Sequence, residues 1–224
     1  MAKKLDKKQT IKKIVDGAKL YDAVFKNKVF LIIYDGETFN HKGYDYKEVL
    51  FKKENFMHLT GIETKLKAKD FYKKCISGRL SEKDFIPGTE TNLKLEVLPY
   101  LGNLFIGSIM IGPYNGTGIK IRYDYVVGDT RNVLCLAFKH NKHYDILQSL
   151  LNDSVKKRSY PTKRVYAVYV KDLEISNSAY ELLHASKDYK EDDGQKILGE
   201  VVNNNCLNDG FAKIKEVQQP VPVT

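Results

Sequence analysis

The chain has 224 residues, 42% of them hydrophobic and 29% charged, with a net charge of +9. That length suits one large domain, or a domain with an appendage, and the composition excludes a disordered chain. No apolar run approaches the roughly 20 residues of a membrane span, and the Lys-rich start lacks the apolar core of a signal peptide, so no membrane partner and a cytoplasmic location are expected.

In chain order, residues 9–25 place Ile11, Ile14, Val15, Ala18, Tyr21 and Phe25 at helical spacing, with lysines on the other face. The β-branched run VFLIIY (29–34) reads as a buried strand, Asp35-Gly36 as a turn, and YKEVLFKK (46–53) as the return strand. AKDFYKKCI (68–76) is an amphipathic helix that Gly78 can end. Ser81 can cap the turn SEKDF, and residues 91–105 continue as helix until Pro99 breaks it.

The pattern then changes to strands at 105–112, 118–127, 132–140 and 164–173, the first three joined by short turns into an antiparallel meander. Alternation in IKIRYDY sets Ile119, Ile121, Tyr123 and Tyr125 on one face and Lys120, Arg122 and Asp124 on the other. From about 174 the spacing predicts one helix, broken near Asp193-Gly194, and then a loose end. The fold class is α+β: N-terminal helices and a hairpin, followed by a mainly antiparallel β-sheet. Residues 1–173 form a basic domain and 174–224 an acidic to mixed C-terminal appendage.

The charge is uneven. Residues 172–200 carry eight acidic and three basic side chains, whereas residues 1–171 hold +14. A basic body points to a polyanionic partner, and a tethered acidic segment can fold over that body and compete with it. Lys73 and Lys74 on the helix at 68–76 are candidates for holding phosphates, as is Arg122 on its strand. Cys75 and Cys135 sit among apolar neighbours as small core residues, Cys206 lies far from both, and no CxxC pair exists. GxGxxG, GxxxxGK[ST] and HExxH are all missing, so neither a cofactor nor a metal is expected.

The stretch FKKENFMHLTGI, followed by KAKDFYKKCISGRLSEKDF, resembles the phage and mobile-element family of barnase–EndoU–colicin–RelE-like nucleases, in a subgroup marked by NF-x-HLTG. Asn55, Phe56, His58, Leu59, Thr60 and Gly61 carry the motif. Phe71, Tyr72, Lys73 and Gly78 follow it, and then IGPYN, YDYVVGDTRNVLCLAF and Tyr160-Pro161-Thr162, over about residues 25–172. The resemblance implies RNA cleavage without a metal. Such cleavage needs a base for the 2′-OH, an acid for the leaving oxygen and cations for the phosphorane.

His58, Thr60, Lys139 and Tyr160 are the catalytic candidates on this reading; Lys52, Lys53, Lys73, Lys74, Arg122 and Lys163 are the nucleic-acid-binding ones. His140 and His143, beside Lys139, are read as idle loop histidines. The partner is RNA or an RNA-containing defence complex of a bacterial host. The competing reading is a catalytically inactive nuclease-like scaffold, a phage-encoded inhibitor that binds a host-defence ribonucleoprotein or protein complex.

Overall fold

A computed structural model describes residues 5–36, 43–116, 123–131 and 133–202. The first helix, α1 (Lys7–Val24), starts on a capping box: the Gln9 amide donates to the Asp6 carboxylate at 2.7 Å, and the Gln9 side chain accepts from the Asp6 amide. Its periodic residues Ile14, Ala18 and Tyr21 are buried, as the spacing requires. The hairpin follows as β1 (Lys28–Asp35) and β2 (Tyr44–Phe51). Next come α2 (Phe56–Thr60), the two-residue strand β3 (Ile62–Glu63), α3 (Ala68–Ile76), β4 (Ile86–Pro87), which pairs with β3, and α4 (Thr91–Val97). Pro99 does end the α-helical bonding, and the chain tightens into a 3-10 turn at Leu98–Asn103.

The remaining strands are β5 (Ile109–Pro113), β6 (Tyr125–Asp129), β7 (Cys135–Lys139), β8 (Asp145–Leu151), β9 (Lys163–Asp172) and β10 (Glu181–Ala185). The short helix α5 (Val155–Arg158) stands between β8 and β9, and α6 runs over 191–202. The meander β5–β6–β7 is antiparallel, as its short turns predict, and β8 extends it. The predicted strands at 105–112 and 118–127 are shorter and shifted, and 117–122 lies outside the described residues, Lys120 and Arg122 with it.

The sheet closes on itself. Its order is β1-β2-β8-β7-β6-β5-β9, and β9 pairs back onto β1 over Lys28–Tyr34. Two short seams complete the ring: β2 runs parallel to β8 through Val49 and Leu50, and β5 meets β9 through Met110 and Ile111. A ring has an inner face, and the main core marks it. Phe30, Ile32, Val49, Ile111, Val127, Phe138, Leu147 and Val168 point inward, onto Tyr21, Phe25, Phe56, Phe71 and Leu95 of the helical half. Aromatic rings pack there at 4.8 Å (Phe25–Phe51, tilted) and 5.0 Å (Phe30–Phe105, stacked), within the range of favourable pairs.

Two smaller cores cover the outer face. Val155 of α5 packs onto Val126, Cys135 and Ala137, while Ile197 and Val201 of α6 pack onto Leu31, Ile33, Ala167 and Tyr169. Cys75 and Cys135 are buried free thiols, as expected.

Three features depart from the sequence reading. Residues 181–185 form an edge strand rather than helix, because β9 offers its free edge and Glu181–Ala185 pair with it. The helix after it is continuous through Gly194, its apolar residues fixed by the outer face of the sheet. Residues 174–202 are thus built onto the same sheet as the basic body. Tyr123 and Tyr125, expected on one face, lie on opposite faces: Tyr123 joins the outer core and Tyr125 the inner one, because regular β6 starts only at Tyr125. No helix among the described residues is long and apolar enough to cross a membrane.

Candidate active site

One end of the ring is an open mouth. There β1, β5 and β7 finish and β2, β6, β8 and β9 begin, so inward side chains at their ends converge. The result is a cavity of about 220 Å³ lined by Tyr34, Lys47, Ile111, Asp124, Tyr125, His140 and Lys163.

His140 follows β7 by one residue. Its backbone amide donates to Asp124 Oδ2 at 2.6 Å, and its Nδ1 lies 3.1 Å from Asp145 Oδ1. Asp145, the first residue of β8, is buried while the imidazole is 54% exposed. The Tyr125 hydroxyl donates to Asp145 Oδ2 at 2.9 Å, and the Asn141 amide to Oδ1 at 3.3 Å. A carboxylate with this many donors is fixed in place, and the ring it holds through Nδ1–H keeps Nε2 as the free acceptor. Burial, with Asp145 beside it, pushes the Tyr125 phenol far above its ordinary range, so it stays a donor. Its ring stacks on Phe138 at 5.2 Å and lies 5.3 Å from the His140 ring.

On the adjoining wall the Tyr34 hydroxyl donates to Asp45 at 3.0 Å, and the Lys47 ammonium stands 5.9 Å from the centre of the Tyr125 ring. Lys163, paired across the seam with Ile111, faces the cavity from β9. The mouth therefore combines a carboxylate-oriented imidazole, a protonated phenol and two ammonium groups. That is the equipment for moving a proton next to a developing negative charge.

The sequence candidates are scattered relative to this mouth. Lys163 lines it. Tyr160 is 81% exposed on the segment leading to Lys163, which runs beside Tyr114 through the Tyr114–Ser159 bridge. Lys139 is exposed and projects opposite to the inward Phe138.

His58 stands at the surface of a separate cleft of about 250 Å³ with Met57, Glu63, Thr89, Glu90 and Lys94, shared with no other candidate among the described residues. Packed surroundings and the Lys94 ammonium push its pKa down. Thr60 is fully buried and donates to the Met57 carbonyl at 2.7 Å, so its hydroxyl is committed to the helix. The neighbouring motif residues are equally structural. Asn55 accepts from the Lys52 amide and donates to Leu147 of β8, Phe56 and Leu59 are in the core, and Gly61 ends α2 at φ +66°, a conformation that favours glycine.

The basic candidates divide as well. Lys53 and Lys73 line one groove with Lys26, Lys69 and Arg79, near the ring's other end. Lys74 turns away and pairs with Asp84 at 2.6 Å, and Lys52 is exposed. Arg122 lies outside the described residues.

Sequence reasoning missed Tyr34, Lys47, Tyr125 and Asp145 as site residues and set His140 aside. The available signal was phase. With Phe138 inward, alternation turns His140 inward too, and Asp145 opens the next antiparallel strand opposite it. Lys94 was also missed; its buried ammonium donates to the His58 carbonyl at 3.0 Å and to Ser149 Oγ at 2.8 Å, tying α4 to α2 and β8.

Among the described residues no three His, Cys, Asp or Glu side chains are grouped to hold a metal. No curated protein and no solved structure matches the chain. A family model, described as phage-Barnase-EndoU-ColicinE5/D-RelE like nuclease4, matches residues 13–185, which take in all ten strands and every side chain of the mouth. Helices first, a curled antiparallel meander after them and this match together make the chain a member of that phage nuclease family.

Proposed function

We propose that the mouth of the ring is the active site of an endoribonuclease that cleaves single-stranded RNA without a metal. One observation carries the reading: His140, held by Asp145, which the Tyr125 hydroxyl fixes in turn, shares a cavity with Lys47 and Lys163. His140 Nε2 takes the proton of a ribose 2′-OH, and the freed 2′-oxygen attacks the adjacent phosphorus. Lys47 and Lys163 balance the extra negative charge on the phosphorane. The 5′-oxygen leaves with a proton from Lys163, giving a 2′,3′-cyclic phosphate end. Asp145 acts through His140 as a positioning residue. A cavity this size accommodates one nucleotide unit and not a duplex, which is why a single strand is the expected substrate.

The test is incubation of the full chain with a single-stranded RNA and its all-deoxy counterpart, in the presence of a chelator, with product ends identified by mass spectrometry. Cyclic phosphate ends on RNA alone are expected. Cleavage of the deoxy strand, or loss of RNA cleavage in chelator, overturns the mechanism. Tight RNA binding without any cleavage points instead to the scaffold that acts by binding.

A further inference from the structure

A second cleft, of about 600 Å³, opens where β9 leaves β5 and takes up β10. It lies across the sheet from the mouth: Ile111 and Lys163 face the mouth, while their chain neighbours Met110 and Arg164 line this cleft. Its polar side chains are Ser108, Arg131, Arg164, His184, Ser186 and Lys187, and among the described residues its lining includes no carboxylate. Ile106 and Met110 supply an apolar floor, with Ile106 62% exposed, while Ile109 and Val165 beside them are buried in the inner core.

Three observations distinguish this cleft from ordinary basic surface. The Ser186 hydroxyl is buried and lacks a hydrogen-bond partner among the described residues. A Cβ at Gly107 would fall 2.0 Å from Arg131 Nη2, so the bare glycine makes room for that guanidinium. Both guanidiniums are already engaged with carboxylates, Arg131 with buried Asp129 at 3.3 Å and Arg164 with exposed Asp188 at 2.6 Å. Asp188 belongs to the acidic segment, so a carboxylate from that segment occupies the position an external anion would take. Desolvation also keeps the His184 pKa below its ordinary value, leaving a neutral imidazole able to donate and accept.

We infer that this cleft binds a nucleotide, its phosphate on Arg164, Arg131 and Lys187 and its base on the Ile106–Met110 floor, with Asp188 as the internal competitor. Guanidiniums suit a phosphate because their forked donors match two of its oxygens. The inference is independent of the mouth's chemistry. The nucleotide is either free or part of an RNA strand, and the two sources share this recognition.

The experiment uses the full chain carrying His140→Gln, so that RNA stays intact whether or not the mouth is catalytic. AMP and a 12-nucleotide single-stranded RNA are titrated separately, followed by amide shifts of Gly107, Ser186 and Lys187 and by calorimetry. Arg164→Gln with Lys187→Gln, both exposed, is expected to weaken the cleft's ligand by about tenfold. Asp188→Asn is expected to tighten it about two- to threefold. Arg131 is left alone because Asp129 beneath it is buried. Binding of AMP identifies a free-nucleotide site, and binding of RNA alone identifies a subsite for a strand. Cleft amides that respond to neither probe, or an affinity unchanged in both variants, overturn the inference.

Discussion

The turn at Asn55–Gly61 and the mouth around His140 make opposite use of a histidine. The turn holds the most recognisable residues of the chain, yet nearly all are consumed by the fold: Thr60 inside α2, Asn55 between Lys52 and Leu147, Phe56 and Leu59 in the core. The mouth's Lys47, His140, Asp145 and Lys163 lie in none of the stretches that carry the resemblance; they come from β2, the end of β7, β8 and β9 and are joined only when the sheet closes. A legible motif marks where sequence is constrained. It does not separate constraint by packing from constraint by chemistry.

Phe56→Ala removes a fully buried ring between Tyr21, Phe71 and Tyr72, and about 3–5 kcal/mol of stability should go with it, read by urea denaturation. A cost under about 1 kcal/mol would mean that the motif is not a structural keystone. Next comes Asp145→Asn, which leaves His140 without its carboxylate. RNA cleavage should fall by about ten- to a hundredfold with a shifted pH profile, while the melting curve moves much less than the rate. An unshifted profile would remove Asp145 from the mechanism.

Acid stability sharpens the contrast from the structural side. Hydrogen bonds from Lys74 and Ser81 hold the Asp84 carboxyl down at about 2, below its ordinary 3.8. A depressed carboxylate stabilises the fold fully above the unfolded value, and that stability is lost as pH falls from about 3.8 through about 2. Asp84→Asn should therefore flatten the acid limb of a stability-versus-pH curve, by about 1 kcal/mol or less. An unchanged limb would show that the pair is idle.

The smallest effect concerns the two lysines of one helix. Lys73→Gln, in the open groove with Lys53, should lower the salt slope of RNA binding by about 0.7, the single-strand value for one phosphate contact. Lys74→Gln, on the far side with Asp84, should leave that slope alone. Equal slopes in both variants would remove the groove from the RNA path.

The elements with strong local periodicity are legible in the sequence alone: α1, the β1–β2 hairpin, α3 with its Gly78 stop, and the meander. What is not legible there is set by tertiary pairing. Residues 181–185 carry no strong strand signal and become strand because β9 has an edge to fill. Ring closure rests on the β1–β9 pairing and on two seams of two residue pairs each, all between segments far apart in sequence, and no local pattern announces them. The site is hidden for the same reason. Lys139 and His140 are neighbours, and only the inward phase of Phe138 says which of them faces the cavity. Lys163 stands out in the sequence as a cation at a strand start, although nothing local names its partners across the mouth.

The most direct measurement of the central claim is single-turnover cleavage of one single-stranded RNA by His140→Gln and His58→Gln, side by side, each shown to be folded by its melting curve. A proton-transfer group contributes roughly 10²-fold or more. His140→Gln is expected to lose at least that much, and His58→Gln to stay within about threefold of the unaltered chain. The reverse pattern, with the loss at His58 and activity kept at His140, would contradict it and move the chemistry to the turn.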